Sequence, residues 1–226
     1  GRTAKRVLDV VLSLPMLAVL ALPLLVCSAL IKLGDGGPVF FRQERIGKDG
    51  VPFRVWKFRT MTVAASADKV PKLLRKGDER ITRVGRFLRH LGLDELPQIV
   101  NVLSGQMSLV GPRPTVGYQV AAYDEHQRRR LEMKPGITSL AVVSGRNALL
   151  WKERIELDIQ YIDRWSIGLD VRILLRTLWT VLIVREGLYG DDGINDSFVP
   201  VSEITSRETP AAIEDEADSR QTGEQG

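Results

Sequence analysis

Residues 10–31 form a run of 22 residues without a charged side chain, and no other feature limits the fold as strongly. A membrane-spanning helix needs about 20 apolar residues, so this run is long enough to enter a bilayer. The apolar part of a signal peptide is shorter, about 7–15 residues, and ends at a small-residue cleavage site. No cysteine-rich body follows, because Cys27 is the single cysteine of the chain. The run therefore predicts a membrane-associated N-terminal helix.

Two prolines, Pro15 and Pro23, lie inside this run. Each removes a backbone donor and clashes with the preceding turn, so each can kink a helix. Basic residues flank both ends of the run, so the positive-inside rule selects no orientation. Two interpretations stay open on these grounds. One is a single-pass anchor, and the other is a segment that enters the membrane, breaks near Pro23 and returns to the same side.

The charge is distributed unevenly along the 226 residues, whose net charge is +4 and whose pI is about 9.3. Seven acidic and two basic residues follow Pro200, so the part before it is more basic than the total indicates. A basic body predicts an anionic partner. We expect a membrane-associated segment over residues 1–34, a body over 35–200, and a disordered acidic tail over 201–226 that has low hydrophobicity and no aromatic residue.

The body is predicted to be mostly helical, in an α+β fold with one small β-hairpin. Aromatic and β-branched residues on both sides of Lys48-Asp49-Gly50 favour the hairpin. Residues 62–79 are polar and are predicted to form an irregular loop. Charged or amphipathic helices are expected at 79–90, 97–103, 118–133, 151–165 and 170–186. A basic amphipathic helix such as 170–186 fits a membrane interface, and it fits packing on a core equally well.

Two adjacent carboxylates, Asp94 and Glu95, occur in the stretch LGLDELPQ. The stretch alone favours a helix start, with Asp94 as the N-cap and Glu95 and Pro97 in the first turn. The alternative is that the two carboxylates carry the chemistry. Arg113 lies between two prolines, which disfavour helix and fix the backbone around one guanidinium. A rigid turn with an incidental arginine is the simpler interpretation of that motif.

Six separate stretches, in their order and spacing, resemble the bacterial sugar transferases known as monotopic phosphoglycosyl transferases. The resemblance covers about residues 5–186. The stretches are KRVLD (5–9), FRVWKFRTM (53–61), LDELPQ (93–98), MSLVGPRP (107–114), KPGIT (134–138) and SGRN (144–147). Each motif is weak by itself, and the ordered set is specific.

The resemblance implies a reaction and a location. The family moves a sugar-1-phosphate from a nucleotide sugar, usually a UDP-sugar, onto polyprenyl (undecaprenyl) phosphate and releases UMP. It works at the cytoplasmic face of the bacterial inner membrane and starts a lipid-linked glycan. The resemblance thus implies that the body over 35–200 is a cytoplasmic catalytic domain at the membrane surface. Its membrane segment is re-entrant and breaks at a proline, which here is Pro23. The expected partners are a UDP-sugar, polyprenyl phosphate and inner-membrane lipids; a homodimer is left open, and no nucleic acid is expected.

The resemblance also implies roles for the carboxylates. Asp94 attacks the sugar-bearing phosphorus, and Glu95 binds Mg²⁺. A diphosphate repels a carboxylate, so cations must neutralise it first. Arg89 and Arg113 are the best candidates for this, followed by Lys57, Arg59 and Arg146.

The sequence departs from the family pattern at a few positions. Leu22 precedes Pro23 where the family often has serine, and Val142 and Ser144 replace a glutamine and an asparagine. The two lost amides remove hydrogen-bonding groups and predict altered donor recognition.

Two rival functions predict different sequence features. A catalytically silent scaffold predicts loss of Asp94 or Glu95, and both are present. A nucleic-acid binder predicts exposed stacking aromatics among basic residues, and only 6% of the residues are aromatic.

Overall fold

The computed structural model describes residues 1–67, 78–145 and 149–180. The predicted tail at 201–226 and the predicted binding residue Arg146 lie outside the described residues. The helices are α1 (Arg2–Asp35), α2 (Val63–Ala67), α3 (Arg83–Leu91), α4 (Ile99–Leu103), α5 (Gly117–Ala121), α6 (Glu125–Arg128), α7 (Leu140–Ser144), α8 (Trp151–Asp163) and α9 (Ile167–Trp179). The strands are β1 (Phe40–Ile46), β2 (Pro52–Phe58), β3 (Ser108–Val110) and β4 (Gly136–Thr138). The predicted mostly helical fold with a small hairpin is confirmed.

Helix α1 contains the uncharged run and continues through both Pro15 and Pro23. It ends where Gly36 adopts a left-handed conformation (φ 72°) and donates its N–H to the Lys32 carbonyl. Residues Thr3–Asp35 have a mean hydropathy of 2.6 in their most apolar window, and only 11% of that window is buried. Length and composition therefore allow α1 to cross a membrane. The predicted break at Pro23 stays a prediction.

The N-terminal end of α1 is fastened to the body by buried polar contacts. Lys5 Nζ lies 2.7 Å from Asp170 Oδ2 in α9. Asp9 Oδ1 accepts hydrogen bonds from the Ser108 hydroxyl (2.9 Å) and from the Leu109 N–H (3.0 Å) at β3. Charged groups this deeply buried need such partners, so the KRVLD motif serves as a docking segment for α1.

The C-terminal end of α1 contacts the same body. Asp35 accepts hydrogen bonds from the Arg59 guanidinium, which follows β2. Cys27 and Ile31 pack in a buried apolar cluster with residues of β2 and α3, Phe58 and Leu88. The helix is thus attached at both ends, whereas apolar side chains in its middle, such as Val19 and Leu22, are exposed.

The predicted hairpin is present, with antiparallel strands paired from Phe40↔Phe58 to Ile46↔Pro52. Its turn places Asp49 and Gly50 at positive φ, 57° and 79°, a conformation that aspartate tolerates and glycine favours. The hairpin is held to α4 by Asn101, which is fully buried. Its Oδ1 accepts from the Trp56 N–H, and its Nδ2 donates to the Arg54 carbonyl.

A second, parallel strand pair was not predicted from the sequence. Ser108 pairs with Gly136 and Val110 with Thr138. A Cβ atom at Gly136 would overlap the backbone of Gly111, so the close approach requires glycine. The main core packs around this pair: Phe53, Val55, Val102, Met107, Leu109, Val110, Tyr161 and Ile173.

Several element boundaries differ from the predictions. The single helix predicted at 118–133 is wrong: the segment contains α5, α6 and a 3₁₀ turn at Arg129–Glu132. Asp124 starts a new helix there, since its side chain accepts from the Gln127 N–H while the Gln127 side chain accepts from the Asp124 N–H. Thr82 caps α3, so the basic helix begins at Arg83 and not at residue 79. Helix α2 also occupies part of the predicted 62–79 loop.

Candidate active site

The two adjacent carboxylates lie in a 3₁₀ segment, Leu93–Gln98, directly after α3. Helix α3 ends at Gly92, whose φ of 69° reverses the chain and starts this segment. The residue before the segment is Gly92, and no side chain caps it. The interpretation of Asp94 as a helix N-cap is therefore wrong. The segment packs on β2, which brings the carboxylates to the hairpin face that carries Lys57.

Glu95 is the point where three distant segments meet. Its Oε1 accepts a hydrogen bond from Lys57 Nζ of β2 (2.7 Å) and from Arg113 Nη2 of the Pro-Arg-Pro loop (2.9 Å). Burial by itself would raise the pKa of Glu95, but the two cations outweigh it and hold that pKa well below its usual range. The two cations therefore favour the ionised form of Glu95.

Asp94 has a different environment, although it is the next residue. It is 6% exposed, and its carboxylate accepts no hydrogen bond from the residues that the structure describes. Burial raises its pKa, and the neighbouring negative charge of Glu95 raises it further, against the opposing effects of Lys57, Arg89 and Arg113. Two neighbouring carboxyl groups with pKa values pushed in opposite directions are typical of catalytic sites.

Positive charge surrounds this pair from several elements. Arg89, in the last turn of α3, donates from Nε to the Thr60 hydroxyl at 2.7 Å. Three of the residues predicted to bind substrate lie close enough to Asp94 to lower its pKa: Lys57, Arg89 and Arg113. Arg113 keeps 42% of its side chain exposed, so it can still reach a bound anion.

Sequence reasoning missed Arg45. The strand register places Arg45, Gln43 and Lys57 on one face of the hairpin. Arg45 Nη2 donates to Gln43 Oε1 at 2.6 Å. Burial lowers the pKa of Arg45 to about 10, and the nearby charge of Arg113 lowers it too. Alternation along the predicted hairpin is the signal that would have placed Arg45 on the same face as Lys57.

Arg59 takes part in different contacts. Its side chain is buried, Nε donates to the Pro38 carbonyl at 2.5 Å, and both terminal nitrogens bond Asp35. This arrangement favours a role in fixing the end of α1. Substrate binding by Arg59 stays a prediction.

The residues present fit a magnesium ion. Among the described residues no three His, Cys, Asp or Glu side chains form a cluster, so a cage made entirely of protein ligands is absent from that part of the chain. Mg²⁺ usually binds through one or two carboxylates, water and substrate phosphates. Both hydrogen bonds to Glu95 end on Oε1, and Asp94 accepts none from the described residues. This leaves carboxylate oxygens for such a site.

Comparison with known proteins gives one consistent family. A family model described as bacterial sugar transferase matches residues 1–184. The chain is 45% identical to the uncharacterized sugar transferase EpsL of Bacillus subtilis (strain 168), over 81% of this chain and 89% of that protein. It is 38% identical to the exopolysaccharide production protein ExoY of Rhizobium meliloti (strain 1021), over 82% of this chain and 88% of that protein.

A third relative is longer than this chain. The UDP-glucose:undecaprenyl-phosphate glucose-1-phosphate transferase of Escherichia coli (strain K12) is 42% identical over 79% of this chain. The match spans 40% of that protein. The shared part nevertheless contains most of the described structure.

Proposed function

The chain belongs to the bacterial sugar transferase family, an enzyme family, and from this premise we propose that it transfers a sugar-1-phosphate from a UDP-sugar to polyprenyl phosphate and releases UMP. The name of the E. coli relative states this type of transfer for glucose. One observation carries the proposal: Asp94 and Glu95 are adjacent, differ in their electrostatic environment, and lie among Lys57, Arg89 and Arg113. That arrangement suits a carboxylate that must approach a diphosphate.

In the first proposed step, the ionised Asp94 carboxylate attacks the sugar-bearing phosphorus. A bond forms from the Asp94 oxygen to that phosphorus, and the bond from phosphorus to the bridging oxygen breaks. UMP leaves with the electron pair, and Asp94 becomes an acyl phosphate that carries the sugar. Lys57 and Arg113 lie where they can neutralise the donor's negative charge. Bound Mg²⁺, held by Glu95, would add positive charge at the diphosphate.

In the second proposed step, a phosphate oxygen of the polyprenyl acceptor attacks the same phosphorus. The bond to Asp94 breaks, the carboxylate is regenerated, and the new diphosphate joins the sugar to the lipid. The scheme predicts ping-pong kinetics. Because the acceptor phosphate stays at the headgroup level while its tail stays in lipid, the site must lie at the membrane surface.

The contacts of α1 support a re-entrant path, and we propose that this path lies at the cytoplasmic face of the inner membrane. Lys5 at one end and Asp35 at the other both bond to the same body, at Asp170 and Arg59. If that body stays on one side of the bilayer, both ends of α1 lie on that side. The exposed apolar middle of the helix would then penetrate the bilayer without crossing it.

The test is UMP release in detergent with undecaprenyl phosphate, Mg²⁺ and a panel of UDP-sugars. We expect release with at least one sugar by the wild type and none by Asp94→Ala, because the nucleophile is missing. The matched control is Glu156→Ala, which removes an exposed carboxylate of α8 and is expected to leave turnover unchanged. Normal turnover by Asp94→Ala would exclude Asp94 as the nucleophile. Absence of release by the wild type with every sugar would favour the silent-scaffold alternative.

A further inference from the structure

A second charged pair, Arg130 and Asp158, lies behind the Pro-Arg-Pro loop. Arg130 Nε is 2.7 Å from Asp158 Oδ2, and the two side chains are only 2% and 1% exposed. The pair joins the 3₁₀ turn Arg129–Glu132 to α8. Burying two charges is expensive, and an apolar pair of similar size often gives equal or better stability. Stability alone therefore does not explain why an ion pair is buried at this position.

The pair contacts both polar backbone groups of Arg113. The Arg113 N–H points to Asp158 Oδ2 at 3.4 Å, and the Arg113 carbonyl accepts from Arg130 Nη2 at 3.1 Å. Pro112 and Pro114 have no N–H, so Arg113 supplies the one backbone donor between Gly111 and Thr115. The ion pair thus holds the peptide from which the Arg113 side chain extends towards Glu95.

The same network reaches past Pro114. Arg130 Nη1 donates to the Tyr123 hydroxyl at 2.5 Å, and that hydroxyl donates to Thr115 Oγ1 at 3.2 Å. The Thr115 carbonyl accepts the Ile46 N–H of β1 at 2.8 Å. The network therefore fixes the loop on both sides of Pro114 and connects it to the hairpin that carries Arg45.

We propose that Arg130 and Asp158 are positioning residues that clamp the Arg113 backbone and so set its guanidinium against Glu95 and the donor diphosphate. The diphosphate part of this inference rests on the proposed function, whereas the contact with Glu95 does not. A guanidinium is effective when its fork is preorganised towards the anion. Loosening the clamp shifts the guanidinium without removing it.

The experiment is a double-mutant cycle on UMP release, with Asp158→Asn made in the wild type and in Arg113→Ala. We expect Asp158→Asn to lower kcat/KM by about tenfold to a hundredfold in the wild type, because small misplacements of catalytic groups have effects of this size. In Arg113→Ala the same change should have about twofold effect or less, since the group it positions is gone. Equal factors in both backgrounds would overturn the proposal.

The matched control is Asp170→Asn. Asp170 is also 1% exposed and also lies 2.7 Å from one cation, Lys5, but it does not contact Arg113. A general loss of stability should lower kcat/KM by the same factor in both Arg113 backgrounds for this control. Tyr123→Phe, which removes only the hydroxyl that Arg130 contacts, gives a milder test and replaces Asp158→Asn if that variant does not fold.

A second readout needs no turnover. Amide hydrogen exchange over residues 111–117 should be faster in Asp158→Asn, and in Tyr123→Phe to a smaller extent, while Asp170→Asn leaves that segment as in the wild type. If the wild type releases no UMP, the proposed function fails. The exchange result alone then decides whether Arg130 and Asp158 hold the Arg113 backbone in place. Unchanged exchange in both clamp variants would overturn it.

Discussion

Asp94 and Glu95 are neighbours in the chain but are held in different electrostatic states. The negative charge of Glu95 is balanced by ion pairs with Lys57 and Arg113. Asp94 receives positive potential from the same groups without accepting a hydrogen bond from the described residues, and burial raises its pKa. A carboxylate that is less tightly paired is the better nucleophile, and this difference supports our proposal that Asp94 attacks while Glu95 anchors positive charge.

The raised pKa of Asp94 gives a prediction for pH dependence. Attack needs the ionised carboxylate, so kcat/KM should fall as the pH falls through a value above the ordinary 3.8 of aspartate. Lys57 lowers the pKa of Asp94, so Lys57→Met should move this acid limb to higher pH. The measurement is kcat/KM for UMP release against pH, with Lys152→Met, an exposed change on α8, as the control. If the acid limb of the pH profile lies at the same pH in Lys57→Met as in the wild type, the assignment of Asp94 as the attacking carboxylate is contradicted.

Gly85 permits α3 to approach the segment after β2. A Cβ atom there would lie 2.6 Å from the carbonyl carbon of Thr60 and closer still to its oxygen. Because backbone cannot rotate away, Gly85→Ala should lower the free energy of unfolding by at least about 1–3 kcal/mol and disturb the Arg89–Thr60 bond.

The measurement is thermal or denaturant unfolding in detergent. The control is Gly168→Ala in α9, where a Cβ atom meets only the Ser166 hydroxyl at 4.0 Å. That change should be neutral or stabilising by about 0.5–1 kcal/mol, because it favours helix. Equal free energies of unfolding for Gly85→Ala and Gly168→Ala would mean that α3 can move away from Thr60 at no cost.

At the scale of elements, the hairpin and α4 form one unit through Asn101. Asn101→Leu would leave the Trp56 N–H and the Arg54 carbonyl without their side-chain partner. Each unsatisfied buried group costs about 1–3 kcal/mol, so for the two groups together the free energy of unfolding should fall by about 2–6 kcal/mol. Val100→Thr, a change of similar volume at a 44% exposed position of α4, is the control and should stay within about 0.5 kcal/mol of the wild type.

Elements also explain which sequence predictions succeeded. The hairpin was predictable because strand alternation and the Asp-Gly turn are local signals. The helix at 118–133 was not, because its composition is helical throughout and the interruption depends on the Asp124–Gln127 capping box. The β3–β4 pair was also hidden, since two three-residue strands joined in parallel have no periodic pattern of their own.

For the whole molecule, the attachment of both ends of α1 predicts a topology. In a Cys27→Ser background, Thr3→Cys probes the start of α1 and Val51→Cys probes the exposed hairpin turn. With a membrane-impermeant maleimide, both should react only after cells are permeabilised. Reaction of Thr3→Cys in intact cells, with Val51→Cys still protected, would show that α1 spans the membrane and would overturn the re-entrant proposal.

The sequence by itself determined the features that depend on neighbouring residues: the apolar helix, the hairpin, the adjacency of Asp94 and Glu95, and the rigid backbone on both sides of Arg113. The ordered motifs also identified the family, which the match over residues 1–184 confirms. Such features are local because propensity, turn chemistry and hydrophobic pattern act over a few residues.

Only the tertiary structure decided which charges meet. Lys57 is 38 residues from Glu95 and Arg113 is 18 residues from it, yet both bond to the same oxygen. Arg59, two residues after Lys57, turns instead to Asp35 at the end of α1. No local pattern distinguishes these cations, because their partners are set by how the hairpin, the 3₁₀ segment and the Pro-Arg-Pro loop pack together, and that packing is fixed by burial of the whole core.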